Sequence, residues 1–174
     1  KKIKIKYSKL LNLMSNNKNN TNSASQHGVL ISLYNIGILL IGKSGIGKSE
    51  CAIELLNKGA RLISDDIVII ENIRGSLIGK SPDAIKELIE IRGIGIINVR
   101  EIFGSNAIEN ESKIDLVVEL ISFNENHDYE RLGYDTTFVN ILNIEIPTMQ
   151  IPVSPGRNLS TLIEIAAKKL IFER

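Results

Sequence analysis

The eight residues Gly42-Lys43-Ser44-Gly45-Ile46-Gly47-Lys48-Ser49 constrain this chain more than any others. They fit the pattern G-x-x-x-x-G-K-[ST] and stand between an apolar, β-rich run, Ile36 to Ile41, and a stretch of helical spacing, Lys48 to Asn57. A strand before such a loop and a helix after it are the context that confirms the motif. Each fixed position has a physical reason. The glycines let the backbone wrap so that successive N–H groups point at phosphate oxygens, and the helix N-terminus adds the positive end of its dipole. Lys48 reaches the outer phosphates, and the Ser49 hydroxyl is placed to bind the Mg²⁺ that bridges the β- and γ-oxygens. The plain alternative is a glycine turn with no ligand. Phosphate binding does not by itself name a reaction, since kinases, GTPases, motors and sensors share the loop. The guanine-reading Asn-Lys-x-Asp and the His-Arg-Asp and Asp-Phe-Gly signatures of eukaryotic-type protein kinases do not occur, which weighs against those classes.

A length of 174 residues corresponds to one globular domain, and 43% hydrophobic residues supply a sizeable core. The formal net charge of +1 lacks the strongly basic footprint of a dedicated nucleic-acid binder. Six of the 21 basic residues fall in residues 1–26, which hold no acid, so the remainder is mildly acidic, with 15 basic residues against 20 acids. Residues 1–26 read as a basic lead and an Asn-rich linker, and residues 27–174 as the folded domain. The single Cys51 cannot form an internal disulfide, and with two His it cannot complete a Cys/His zinc site, which fits a reducing cytoplasm. The longest apolar run, Ile36 to Ile41, falls far short of the ~20 residues of a membrane span, and no secretory apolar core opens the chain. A soluble chain that is not exported is expected.

Val29 to Leu33 and Ile36 to Ile41 flank Tyr34-Asn35 as a hairpin or two neighbouring strands. Cys51 with Leu55 and Ala52 with Leu56 give a helix of about three turns over Lys48 to Asn57, with Gly59 at the C-terminal cap. Arg61 to Ile70 reads as a strand interrupted by Asp65-Asp66. Ser81-Pro82 reads as the start of a helix with Ile85, Leu88 and Ile89 on its apolar face. Ile114 to Ile121 and Phe138 to Ile146 supply more strands, and Asn158 caps a last helix carrying Leu162, Ile163, Ala166 and Leu170. Strands outnumber helices.

Asp65-Asp66 offers one carboxylate to orient magnesium-bound water and another to take a hydroxyl proton, as phosphoryl transfer to an alcohol requires; the bland alternative is a capped turn. Glu90-Ile91-Arg92-Gly93-Ile94-Gly95-Ile96-Ile97-Asn98 places two glycines and an Arg in an apolar stretch, a shaped loop or a strand with a bulge. Arg131 and Arg157 sit in or after turn-like residues, where a guanidinium can meet phosphate bidentately, although a lone loop Arg is usually just solvated.

Together, His27-Gly28-Val29, the loop Gly42 to Ser49 followed by Glu50, Ser64-Asp65-Asp66, Glu90 to Asn98, Arg131-Leu132-Gly133 and Pro152 to Asn158 resemble the catalytic domain of bacterial HPr kinase/phosphorylase, in order and spacing from His27 to about Lys169. The resemblance implies an α/β fold, a P-loop kinase core with a mixed β-sheet, related to the phosphoenolpyruvate carboxykinase-like fold. It implies hexamers in which the C-terminal helix, here Leu159 to Phe172, helps receive HPr, the small phosphocarrier of the sugar phosphotransferase system. The implied activity is bifunctional: phosphorylation of a serine of HPr with ATP or pyrophosphate, and reversal by phosphorolysis that releases pyrophosphate. Nucleic acid and membrane are not expected partners. By resemblance, Asp66 is the base and, in reverse, the acid; Lys48 holds the β- and γ-phosphates; Ser49 and Glu90 hold Mg²⁺. His27 is similar to the family's active-site histidine, although a histidine beside a strand is more often structural, and Arg131 neutralises charge on the transferring group. Glu90 to Val99 matches the segment tied to both reactions, and Pro152 to Arg157 the one tied to phosphorolysis.

This sequence departs from the family pattern in three ways. Only the basic lead and linker precede His27, where members carry a domain of on the order of a hundred residues or more, so a truncated or a naturally short form is expected. Lys43 stands where an acid is usual, and Ser154 replaces a cation of the Pro-x-Pro-Gly-Arg loop, so phosphorolysis is expected to be weaker than kinase activity. Two other readings stay open: a P-loop kinase acting on a small molecule, and a nucleotide-sensing module that binds ATP without catalysis.

Overall fold

The computed structural model describes residues 22–123 and 137–173. Its centre is a six-stranded mixed sheet in the order β11-β12-β10-β3-β2-β4, formed by β2 (Val29–Leu33), β3 (Ile36–Gly42), β4 (Arg61–Ser64), β10 (Leu116–Ser122), β11 (Thr137–Ile141) and β12 (Ile144–Val153). Strands β3, β10 and β12 run parallel, and the others are antiparallel to their neighbours. A four-stranded antiparallel sheet, β1-β5-β6-β9, covers one face with β1 (Ser23–His27), β5 (Ile67–Ile73), β6 (Ser76–Lys80) and β9 (Glu111–Lys113). Helices α1 (Lys48–Asn57) and α3 (Leu159–Phe172) cover the other face. A short helix, α2 (Val99–Phe103), follows a separate hairpin of β7 (Leu88–Ile91) and β8 (Gly95–Asn98).

This three-layer arrangement explains why β2 and β3 read as unbroken apolar runs: a strand buried on both faces has no polar side to alternate with. Val29, Ile31, Leu33, Ile38 and Leu40 pack toward the helices with Leu55, Leu56 and Ile163, while Leu30, Leu39 and Ile41 pack toward the second sheet with Val68, Ile70 and Leu77. The β2–β3 turn places Tyr34 (φ 53) and Asn35 (φ 61) in the left-handed region, the turn geometry that matches the twist of a tight hairpin. Helix α1 ends in a Schellman motif, with the Ala60 N–H donating to Leu55 O and the Gly59 N–H to Leu56 O. Asn158 caps α3 by accepting from the Thr161 N–H at 3.0 Å. Glu164 on α3 accepts from Tyr34 Oη, Lys58 Nζ and Lys168 Nζ, tying that helix to α1 and to the β2–β3 turn. The Lys168, Tyr34 and Lys58 hydrogen bonds hold its carboxyl down at about 2.

Three local expectations are corrected. The linker ends before Gln26, because Ser23–His27 forms β1 and pairs with β5 in register from Ser23↔Glu71 to His27↔Ile67. The helix after Ser81-Pro82 is only a 3₁₀ turn over Asp83–Ile85, and Leu88 and Ile89 belong to β7. The Ser81 hydroxyl donates to Pro82 O instead of capping a helix, and Ile89 is buried. Phe138 to Ile146 is a hairpin, turning at Leu142 (φ 48) and Asn143 (φ 66). Among the described residues, no helix is long and apolar enough to cross a membrane.

The parallel β3–β10 pair is locked where it begins. Asp115 Oδ2 accepts from the Gly37 N–H at 3.0 Å, and the Asp115 N–H donates to Gly37 O at 2.8 Å. A Cβ on Gly37 would lie 1.7 Å from Lys113 O, a backbone atom that cannot rotate away. Gly37→Ala is therefore expected to destabilise the domain by about 3 kcal/mol, the upper end of ordinary overpacking, read as a lower urea midpoint. An unchanged midpoint would show that β9 and β10 shift freely.

Candidate active site

The carboxyl ends of β3, β10 and β12 share one edge of the parallel part of the sheet, where open α/β sheets receive ligands. Strand β3 delivers the glycine-rich loop there. Gly42 (φ 146) passes β10 so closely that a Cβ would lie 2.5 Å from Leu120 O, and Gly45 (φ 76) and Gly47 (φ 104) adopt left-handed backbone that turns the chain into α1. Lys48 Nζ folds over the loop, donating to Gly42 O at 3.1 Å and Lys43 O at 3.0 Å. Burial lowers its pKa, opposed by the charges of Asp65, Asp66 and Glu50. A partly desolvated ammonium held over bare loop amides is a site for an anion.

The junction between the two large sheets brings the acids. Strand β4 ends at Ser64 in the six-stranded sheet and β5 starts at Ile67 in the four-stranded one, so Asp65-Asp66 makes the crossing. The Ile67 N–H donates to Asp65 O, and the Gly28 N–H to Asp66 O. Asp66 takes φ 69, conformational space open to Asp at small cost. The two carboxylates have opposite environments. Asp65 is buried, accepting from Ser49 Oγ at 2.8 Å and from the Glu90 N–H at 3.0 Å. Burial pushes its pKa up, against the hydrogen bonds from Glu90 N–H, Ser49 and the Asp66 backbone. The Asp66 side chain is 68% exposed, with Oδ1 at 3.2 Å from His27 Nδ1. His27 ends β1 opposite Ile67, so the β1–β5 register is what brings imidazole to carboxylate.

The β7–β8 hairpin closes the third side. Glu90, Arg92, Gly93 and Gly95 line the same cavity of about 620 Å³ as His27, Lys48, Ser49, Asp65 and Asp66. Arg92 crosses the loop, its guanidinium nitrogen 2.6 Å from the point a Cβ on Gly45 would occupy.

Most of the expected site residues therefore meet: His27, Gly42, Ser44, Gly45, Gly47, Lys48, Ser49, Asp66 and Glu90 border one space. Lys43 and Ile46 belong to the loop without lining that space; Lys43 lends its carbonyl to Lys48, and Ile46 packs on the core. Arg157 lies in the turn after β12 and is not among the lining residues, and Arg131 lies outside the described residues. Glu50, Asp65, Ile91, Arg92, Gly93 and Gly95 line the space without having been given a role by the resemblance, although Asp65 stood in the pair of candidate carboxylates. A pair of adjacent Asp signals acids without saying which one turns inward, and an Arg between glycines signals a turn without saying what it faces. For Mg²⁺ the donor chemistry fits: the Ser49 hydroxyl meets the Asp65 carboxylate at 2.8 Å, Glu90 lines the same cavity, and such hard oxygen donors suit Mg²⁺, which is commonly held by one or two carboxylates plus phosphate and water.

The family model described as HPr Serine kinase C-terminal domain matches residues 18–174. An HPr kinase/phosphorylase from Geobacter sulfurreducens is 45% identical over 148 residues, 84% of this chain and 46% of that protein. One from Bacillus cytotoxicus is 46% identical over 149 residues, 85% of this chain and 48% of its own length. The chain thus spans about half the length of these curated relatives. Among solved structures, the Hpr(Ser) kinase/phosphatase from Coxiella burnetii superposes with a TM-score of 0.78 at 30% identity, covering 86% of this chain and 91% of that one. By sequence and by fold, this chain belongs to the HPr serine kinase C-terminal domain family.

Proposed function

We propose that this domain is an ATP-dependent protein-serine kinase and phosphorylase acting on HPr, built on a P-loop kinase core related to the phosphoenolpyruvate carboxykinase-like fold. The observation that carries this reading is the pairing of two adjacent carboxylates with opposite surroundings beside an anion-binding loop: Asp65 turned inward onto Ser49 and Glu90, Asp66 open to the cavity and touching His27. A sensor needs the loop alone, whereas an open carboxylate facing it is what proton transfer requires.

In the forward direction, Asp66 accepts the proton of the substrate serine as its oxygen bonds to the terminal phosphorus of ATP or pyrophosphate, and the bond to the leaving phosphate oxygen breaks. Lys48, with the loop N–H groups, takes up the charge that spreads over the phosphoryl oxygens. Ser49, Asp65 and Glu90 would hold Mg²⁺, which would supply positive charge to the phosphate oxygens. In reverse, a phosphate oxygen attacks the phosphoseryl phosphorus, Asp66 returns the proton to the serine oxygen, and pyrophosphate leaves. His27 orients the Asp66 carboxylate. Arg131 and Arg157 are assigned to charge on the transferring group and to phosphorolysis through the resemblance. The reading puts the protein in the cytoplasm, where ATP is made and a thiol such as Cys51 stays reduced, and includes hexamers as its assembly.

Incubation with purified HPr, Mg²⁺ and ATP should add one phosphoryl group to HPr, mapped to serine by mass spectrometry. Phosphate should then remove it with release of pyrophosphate, more slowly than ATP adds it. HPr left unmodified by a chain that still binds ATP would overturn the kinase reading. A phosphate-driven rate equal to the ATP-driven one would refute the consequence drawn from Lys43 and Ser154.

A further inference from the structure

The β7–β8 hairpin has two faces, and only one is accounted for by the core. Ile89 pairs with Ile97, and both pack inward, Ile89 at 1% exposure. The next pair is Glu90 with Ile96, and directly opposed residues of an antiparallel ladder share a face. Glu90 lines the active cavity, and Ile96, its partner across the ladder, stands on the same face one strand further out, outside the lining itself. It is 69% exposed, and Ile94 in the adjoining turn is 76% exposed. Two exposed isoleucines beside a site whose lining, Ile91 apart, is charged, hydroxylic or glycine are unfavourable for the isolated domain.

The reaction supplies a reason for them. A serine on a folded protein cannot enter the cavity alone; the surface around it must rest on the rim, and the hairpin forms one wall. A small-molecule acceptor would enter without touching Ile96. We infer that Ile94 and Ile96 form a docking ledge for an apolar collar surrounding the acceptor serine of the protein substrate, so that substrate selection is made partly by hydrophobic burial at the rim and not only by contacts to the serine. This inference rests on the protein-kinase reading above and goes beyond it by naming the surface that selects the substrate.

The test compares wild type with Ile94→Ser, Ile96→Ser, the double variant and Ile96→Val, using HPr as acceptor. The serine variants should raise KM for HPr by about tenfold each, a larger change than any in kcat, since burying such a side chain is worth that much in affinity. The affinity for Mg²⁺-ATP and the unfolding midpoint should stay at wild-type values, and Ile96→Val should restore most of KM. An unchanged KM for HPr in the double variant overturns the ledge while leaving the kinase reading intact. A changed sedimentation coefficient with unchanged KM overturns it too, marking the ledge as a contact between copies. If wild type itself fails to modify HPr, the underlying reading falls first and the ledge with it.

Discussion

Asp66→Asn should abolish most phosphoryl transfer, lowering kcat by on the order of 10²–10⁴, while Mg²⁺-ATP still binds within a few-fold of wild type. The substitution is unusually clean at this position. Asp66 sits at φ 69, and Asn tolerates the left-handed region at least as well as Asp, so no backbone strain is introduced. Its side chain is 68% exposed and its contact is with His27 Nδ1, a donor that an amide oxygen can still receive. The glycine-rich loop, Lys48 and the Ser49–Asp65 bond are untouched. What is lost is the capacity to take a proton. Single-turnover transfer to HPr, followed by intact mass, reads kcat; equilibrium nucleotide titration reads the site; a thermal scan reads the fold. Forward and reverse rates should fall together, since one proton path serves both. Transfer within tenfold of wild type, with HPr as acceptor, would remove Asp66 from the role of base.

Much of this was legible in the sequence, for reasons that differ by element. The strand, loop and helix from Ile36 to Asn57 were readable because the motif constrains backbone, charge and periodicity at once, and the local preferences all agree. The helix expected after Ser81 fails because Ile85, Leu88 and Ile89 fit helical spacing over a window too short to separate the two periods. Ile89 becomes a strand residue through Ile97, eight positions on, and that partner is not a local property. The hairpin at Leu142-Asn143 escapes for a related reason: its turn lacks the glycine that usually announces one, and leucine rarely adopts positive φ.

The site divides in the same way. Residues fixed by the loop pattern come together where expected, whereas residue type and spacing alone do not distinguish Asp65 from Asp66, and only the resemblance singles out Asp66. The two are adjacent and chemically identical. Their roles separate because the chain crosses from one sheet to the other between them, which turns Asp65 onto Ser49 and Glu90 and leaves Asp66 facing the cavity. Arg92 is likewise placed by the β7–β8 turn, which carries it over Gly45.

That division makes Asp65 the second position where a large effect is expected, and of a different kind. Its carboxylate joins three elements: Ser49 on α1, the Asp65-Asp66 crossing, and the Glu90 N–H on β7. Asp65→Ala leaves the Glu90 N–H and the Ser49 hydroxyl without that acceptor, at a cost of about 1–3 kcal/mol for an unsatisfied buried group. Part of this is offset, because burial already disfavours the charged form of Asp65. The loss of activity should be far larger than the loss of stability. Without Asp65 the oxygen set proposed for Mg²⁺ shrinks to Ser49 and Glu90, and the hydrogen bond from the Glu90 N–H to Asp65 is lost. Transfer to HPr should fall by at least ~10², a loss typical of removing preorganised charge stabilisation. Unlike Asp66→Asn, the fall should come with weakened nucleotide binding, and it should be partly recovered at high Mg²⁺. Titrating Mg²⁺ against nucleotide affinity separates the two positions: a rightward shift for Asp65→Ala and none for Asp66→Asn. If Asp65→Ala keeps the Mg²⁺ dependence of wild type and loses only stability, the buried carboxylate is a tether between elements and not part of the ion's site.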